Sequence, residues 1–321
     1  MPLNIKSSDI KYFSWVYEIE PQSLSTVKYS SVFYIGTELT NATFGHISSF
    51  YSIENSRIKK IILLSRSILF RRFHFFNRRN VCFACNPWSN NYFHWFTEVL
   101  PRVIKAAELH ENLLFLFPFE LNEQYQLPSL EKLNINYKSI PNKIFFARNL
   151  FFSQPSREST GHFSTHHFKM IREKFCIPEI GVRKIYVHRN SNKRSIVNSE
   201  EVKYSFIKKG FEVVELENAT LNDQISLFSQ ATILASIHGA ALTNMLFMRE
   251  GSTILEFGLN GEKYDKCYFN MAREINHIYY YQGCFSPDKL KTYTESNLYV
   301  DIIELEAVLS EILISNQVNP R

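Results

Sequence analysis

Between Asn91 and Arg102 the chain places a histidine, a carboxylate, an arginine, an asparagine and an indole within about three helical turns. At roughly 100° per residue, Asn91, His94, Glu98 and Arg102 fall in one sector about 80° wide. Phe96, Val99, Leu100, Val103, Ile104 and Ala107 lie opposite, an apolar stripe that a helix buries. The polar face gathers groups able to move a proton or hold an anion, with Trp95 beside it. A solvated helix face is the competing reading, but such faces carry lysine and glutamate rather than histidine, indole and asparagine. Pro101 lacks an N–H, so it is expected to free the Thr97 carbonyl and bend the helix there.

Three further groups stand at the carboxyl ends of predicted strands in the second half, the edge along which open α/β sheets bind ligands. The first is His238-Gly239-Ala240-Ala241-Leu242-Thr243-Asn244. Gly239 and Ala240 admit a close backbone approach, and the helix predicted from Ala240 to Met248 would offer N–H groups and its positive end to a phosphate. The second is the loop after Val187, where Arg189 and Arg194 could clamp a pyrophosphate; a solvated basic loop is the plain alternative. The third is Glu256, a carboxylate in the apolar run Ile254-Leu255-Glu256-Phe257, placed to accept hydrogen bonds from ribose hydroxyls or simply to reach solvent. No G-x-G occurs, which disfavours dinucleotide enzymes and P-loop ATPases.

The elements that must position these groups read as a mixed first half and a regular second half. Lys28–Ile35, Ile61–Leu64, Ile68–Phe73 and Val81–Cys85 suit strands, then Leu113–Phe117, a helix over Leu121–Leu133 and a strand over Ile144–Ala147. Ser153 to Gly161 is the expected linker. After it come strands at Lys184–His188, Phe211–Glu215, Thr232–Ser236, Thr253–Phe257 and Ile278–Tyr281. Helices fall between them, at Asn198–Lys209 with Asn198 as cap, from Thr220 to Ser229 with Asp223 in matching position, and at Lys263–Glu274. That alternation predicts a parallel Rossmann-like sheet. The domains expected are 1–158, 159–300 and a helix within 301–321 that could pack back on the N-terminal domain.

The chain has 321 residues, 45% hydrophobic and 21% charged, enough for two domains with substantial cores. No run approaches the 18 or so apolar residues of a membrane span, and Met1 to Asp9 is polar, which sets the expectation of cytoplasmic residence. The five cysteines are few; Cys82 and Cys85 form a lone C-x-x-C and are expected as buried free thiols. No metal site is expected: there is no Asp-X-Asp, and His166 and His167 in the His162 cluster point apart on a helix. The net charge of +5 includes four arginines among aromatics from Arg71 to Arg79, which could touch nucleic acid, anionic lipid or an anionic acceptor, or stand exposed on a hairpin.

Asn91-Tyr92-Phe93-His94-Trp95 with Glu98 and Leu100-Pro101-Arg102, then Tyr186-Val187-His188-Arg189 with Arg194 and Asn198, then His238 to Asn244 with Phe247-Met248 resemble, in order, the motifs of glycosyltransferase family 61. His188 departs from the resemblance, standing where a small or polar residue is usual. The resemblance implies a GT-B fold of two Rossmann-like domains facing a cleft, and metal-independent, inverting transfer from a nucleotide-sugar donor, often a UDP-sugar. No cofactor is then needed. The expected partners are the donor and a glycan or glycolipid acceptor of bacterial capsule or lipopolysaccharide synthesis, with peripheral contact at the inner membrane permitted and no nucleic acid. On this reading Arg189, Arg194, His238, Gly239, Ala240, Thr243, Asn244 and Glu256 hold the donor. Asn91, Trp95 and Arg102 line the acceptor side, and Glu98, or else His94, takes the acceptor's proton. A nucleotide-sugar-binding protein without transferase activity is the alternative.

Overall fold

The chain divides into two units, one Gln22–Glu158 and the other joining Met1–Pro21 to Ser159–Arg321. The computed structural model describes residues 2–4, 24–35, 38–40, 46–49, 60–62, 64–65, 73–141, 144–153, 165–177, 181–191, 194–260, 266–287 and 296–318. Outside these lie Arg71 and Arg72, His162, nearly all of the expected linker, and the first residues of the helix expected from Lys263.

In the Gln22–Glu158 unit the strands are β1 (Thr26–Ile35), β2 (Glu38–Thr40), β3 (His46–Ser49), β4 (Phe73–Phe83), β5 (Leu114–Phe117), β6 (Tyr137–Ser139) and β7 (Ile144–Ser153). They form one seven-stranded sheet in the order β3-β2-β1-β7-β4-β5-β6. β7, β4, β5 and β6 run parallel, whereas β1 pairs antiparallel with β7 and β2, and β2 with β3. The sheet is therefore mixed and not the fully parallel Rossmann-like sheet expected for this half. Only two residues separate β1 from β2, a connection that permits an antiparallel turn and no parallel crossover. Ile61, Ile62 and Leu64, expected in a strand, are helical, and Ile61 and Ile62 are half exposed. So short an apolar run carries no periodicity to separate the two.

The second unit is built on β8 (Arg183–Val187), β9 (Glu212–Val214), β10 (Ala231–Ile237), β11 (Thr253–Leu259) and β12 (Ile278–Cys284). All pair parallel, in the order β12-β11-β10-β8-β9. Read from β9, the first five strands of the unit lie 2-1-3-4-5, so the strand order reverses between β8 and β10, the switch point at which such sheets bind ligands. β11 is buried along nearly its whole length, as a parallel strand covered on both faces must be. On one face Tyr186 stacks on Phe206, centroids 4.2 Å apart, in a core that also takes Leu305, Val308, Leu309 and Ile312 of the last helix. That helix, Ile302–Val318, thus packs on its own unit. The first residues join the same unit because Asn4 brackets Tyr281 through both its amide atoms and Leu3 donates to the Tyr279 carbonyl.

Thr220 and Asp223 form a full capping box at the start of the helix Leu221–Ser229. Asn198 instead leaves its helix, Ser199–Lys208, without a side-chain cap bond. Its amide spans the Val300 N–H and carbonyl, so it ties that helix to the segment leading into Ile302–Val318.

Candidate active site

The polar stretch of the first unit follows β4 through a turn at Asn86 to Asn91. Asn86 orders that turn: its backbone N–H meets the Ser89 hydroxyl at 2.8 Å, and its side-chain oxygen accepts from the Trp88 N–H at 3.0 Å. The helix then opens as α over Tyr92–His94, widens to π over Trp95–Val99 and resumes as α over Leu100–Leu109. Pro101 explains the widening. It has no N–H to give and its ring would press on the carbonyl of Thr97, and in the looser turn the Leu100 N–H reaches Trp95 instead. The expected bend is therefore absorbed as a π-turn.

His94 Nδ1 lies 2.9 Å from Glu98 Oε1, and the other carboxylate oxygen accepts from the Asn86 amide. The indole of Trp88, 60% exposed, stacks on the His94 ring at 6.0 Å. Four groups thus converge where the sequence pointed to His94 and Glu98; Asn86 and Trp88 had read only as turn residues. Their signal was available in retrospect: an asparagine and a tryptophan eight and six residues ahead of the histidine of a His-x-x-x-Glu pair.

The remaining candidates on this helix do other work. Asn91 caps its first turn, its side chain accepting from the Phe93 N–H at 2.9 Å. Trp95 is wholly buried, donating to Ser129 Oγ at 2.9 Å and packing on Phe117. Arg102 is also buried; Nε donates to the Glu98 backbone carbonyl at 2.8 Å and Nη1 reaches the Ser153 carbonyl. Its guanidinium therefore serves backbone carbonyls at the ends of two elements rather than the Glu98 carboxylate, and burial pulls its pKa down while Glu98, Cys85 and Cys82 oppose that. Cys82 and Cys85 are free and buried, and burial pushes the Cys85 thiol up to about 12.

In the second unit the switch point carries the other group. His238 stands one residue past β10, its N–H bonded to the Phe257 carbonyl at 2.8 Å, so the ladder holds it beside β11. Its Nδ1 lies 2.5 Å from Glu256 Oε1, and the Tyr279 hydroxyl donates to Oε2. Glu256 is 2% exposed. The expectation that it meets ribose hydroxyls or reaches solvent is corrected: it is a buried carboxylate fixed between a phenol and an imidazole. Tyr268 sets its ring edge-on to His238 at 5.0 Å. Burial, then Glu256, drives the Tyr279 phenol well above its ordinary range, so it stays a donor.

Arg189 follows β8, across the switch point from His238. A methyl on Gly239 would stand 3.4 Å from Arg189 Nη1, which puts the guanidinium against the His238-Gly239 turn. Burial, then Arg194, lowers the Arg189 pKa, the mark of two cations held close. Arg194 adopts a left-handed backbone at φ 51° and shares a small pocket with His238. His188 is buried, with Nδ1 unpartnered among the described residues and its pKa lowered, first by burial.

Ala240–Phe247 is a 3-10 helix rather than the expected α-helix. Its inward residues, Leu242 to Phe247, are all buried, and the tight winding leaves Ala240 and Ala241 half exposed at its start. Thr243 lies under Tyr268, and Asn244 donates to Gln224 and to the Ala241 carbonyl, so both brace the turn from below. Among the described residues no three His, Cys, Asp or Glu side chains gather in a way that could hold a metal ion.

The profile of the family Glycosyltransferase 61 matches residues 92–255, just over half of the chain. Over 87 residues the chain is 34% identical to protein O-linked-mannose beta-1,4-N-acetylglucosaminyltransferase 2 of Xenopus laevis, covering 25% of this chain and 15% of that protein. Over 206 residues it is 23% identical to alpha-1,3-arabinosyltransferase XAT3 of Oryza sativa subsp. japonica, covering 55% of this chain and 35% of that protein. The matched stretches thus span about a third or less of those relatives, both of them eukaryotic. With the His94–Glu98 pair, Arg189, Arg194 and His238 all inside the matched range, the chain belongs to the glycosyltransferase 61 family.

Proposed function

We propose that the protein is an inverting, metal-independent glycosyltransferase of GT-B type that moves a sugar from a nucleotide diphosphate, a UDP-sugar first, to a glycan hydroxyl. The observation that carries this reading is the His238–Glu256–Tyr279 chain beside Arg189 and Arg194 at the switch point of a parallel sheet. The Glu256 carboxylate fixes the His238 ring through Nδ1, so His238 and the two arginines can meet the charge that grows on a departing diphosphate. Such fixed positive groups supply the stabilisation that a metal supplies elsewhere.

The acceptor oxygen attacks the anomeric carbon, the carbon–oxygen bond to the diphosphate breaks, and the nucleoside diphosphate leaves with the electron pair. The acceptor's proton passes to Nε2 of His94. Both oxygens of Glu98 are engaged, by His94 and Asn86, which makes Glu98 the group that orients His94 and balances its charge. That exchanges the order first expected, in which Glu98 took the proton. The exposed face of Trp88 offers a platform for a sugar ring of the acceptor. A role in bacterial surface polysaccharide synthesis rests on the motif resemblance.

A thermal-shift screen of UDP-, GDP-, CMP- and dTDP-sugars tests the reading, because a bound donor raises the unfolding temperature by mass action. The stabilising donor is then offered with candidate acceptors in EDTA. Transfer with EDTA present is expected; a strict Mn²⁺ requirement would overturn the metal-free mechanism, and binding without any transfer would reduce the chain to a nucleotide-sugar-binding protein.

A further inference from the structure

The four-arginine run that the transfer chemistry does not use ends in a structural notch. Between Phe76 and Asn80, β4 advances four residues while its partner β7 advances two, from Ala147 to Asn149. Asn77, Arg78 and Arg79 thus stand opposite Arg148 alone, a bulge of two surplus residues, and all three are exposed. On its other side β4 pairs with β5 only at Val81 and Cys82, because β5 begins at Leu114. The edge of β4 before Val81 is therefore open to that side. Together these two features leave a cavity of about 600 Å³ beside the bulge, the size of a small-ligand pocket.

Its lining combines three kinds of group. Arg78, Arg79 and Lys138 supply positive charge, and none of the three makes an ion pair among the described residues. Phe75 and Tyr137 supply ring faces; Phe75 is 61% exposed, yet its orientation is fixed by stacking on Phe146 at 4.9 Å and 15°. Asn77 and Asn136 supply exposed amides, each able to donate and accept toward a pair of neighbouring hydroxyls. Lys138 sits over the Phe76 ring at 5.7 Å, which keeps its ammonium at the cavity. The geometry points to a binding site for a short acidic oligosaccharide, one that presents carboxylates to the arginines, C–H faces to the rings and vicinal hydroxyls to the asparagines.

Two alternatives fit less well. A peptide strand added to the open β4 edge would leave the amides and ring faces without a defined task. A nucleic acid needs a longer cationic track than a bounded pocket with three cations. The site lies at the amino end of β4, while His94 follows its carboxyl end. From Phe75 to Phe83 the strand spans the six steps of its partner from Phe146 to Phe152, roughly 20 Å. The pocket is thus separate from the groups assigned to proton transfer, and binding there can be measured whether or not the protein proves to be a transferase.

The test measures binding of fluorescently labelled hexagalacturonate to the full chain by anisotropy at low salt. Maltohexaose supplies rings without charge, hexaglutamate charge without rings, and a single-stranded DNA hexamer the nucleic-acid outcome. Hexagalacturonate is expected to bind at least 10-fold more tightly than any of these. The double variant Arg78→Ala/Arg79→Ala should weaken it at least 10-fold and Phe75→Ala about 5-fold, while His94→Ala leaves it unchanged. Lys138→Gln, a milder surface change, should weaken it 2- to 5-fold and guards against a folding defect in the others. Equal affinity for hexaglutamate, tighter binding of the DNA, no binding of hexagalacturonate, or indifference to all of the pocket variants would each overturn the assignment.

Discussion

Glu256 is sealed from solvent and holds Nδ1 of His238 at 2.5 Å, while Tyr279 occupies its second oxygen. A buried carboxylate with both oxygens engaged has one orientation, so the imidazole that leans on it has one as well. Replacing Glu256 by Gln removes the negative charge but keeps the shape. If His238 donates to the diphosphate from the orientation Glu256 fixes, UDP affinity should fall about 10- to 100-fold, the worth of one charged hydrogen bond. Tyr279→Phe should cost less, about 2- to 10-fold. Isothermal titration with UDP checks both, and unchanged affinity in Glu256→Gln would sink the role given to this pair.

His94→Ala should lower kcat about 10²–10⁴-fold, the usual contribution of a positioned base, with UDP binding intact. Glu98→Gln should lower it less, because Gln can still bond and orient the imidazole of His94. A larger loss in Glu98→Gln than in His94→Ala would return the base to Glu98.

The two indoles near this helix separate stability from recognition. Trp95→Ala empties a fully buried site and is expected to cost about 3–5 kcal/mol, read as a fall in unfolding temperature. Trp88→Ala touches an exposed ring and should leave unfolding nearly unchanged while raising the acceptor KM. Equal destabilisation by both would contradict the burial that distinguishes them.

His277 is buried, its Nε2 bonded to the Met245 carbonyl at 2.9 Å, with Nδ1 unpartnered among the described residues. Burial lowers its pKa from 6.5 to about 4. The unfolded chain therefore takes up this proton first, and the stability that His277 contributes above pH 6.5 is lost as the pH falls from there to about 4. His277→Gln keeps a donor for Met245 and should flatten the dependence of unfolding temperature on pH across that window. An unaltered slope would show that other groups set it.

Much of the second unit was legible because each of its strands is short, apolar and followed by a turn, so that pattern alone orders them. What pattern missed was the partner of each motif residue. Glu256 stands alone in its run, and only the register of β10 against β11 and β12 brings His238 and Tyr279 to it. Helical spacing placed Asn91 and Arg102 with His94, but capping needs took the first and backbone carbonyls the second. Trp88 lay in a turn that no periodicity covers. The 3-10 winding at Ala240–Phe247 was hidden for a different reason: its apolar residues satisfy an α pattern equally well, and the choice is made by what packs around them.

The π-turn at Trp95–Val99 holds one residue more than an α-turn in its place would. A wider turn spreads about the same rotation over one more residue, so removing one residue from it would restore α-winding and leave what precedes it nearly in phase with Leu100–Leu109. His94 and Glu98 would still be neighbours at i,i+3 or i,i+4, but the Pro101 ring would again press on the carbonyl one α-turn before it. Spelling and winding are separate requirements here: a turn one residue shorter could carry the same polar pair, yet it would lack the slack in which Pro101 is seated.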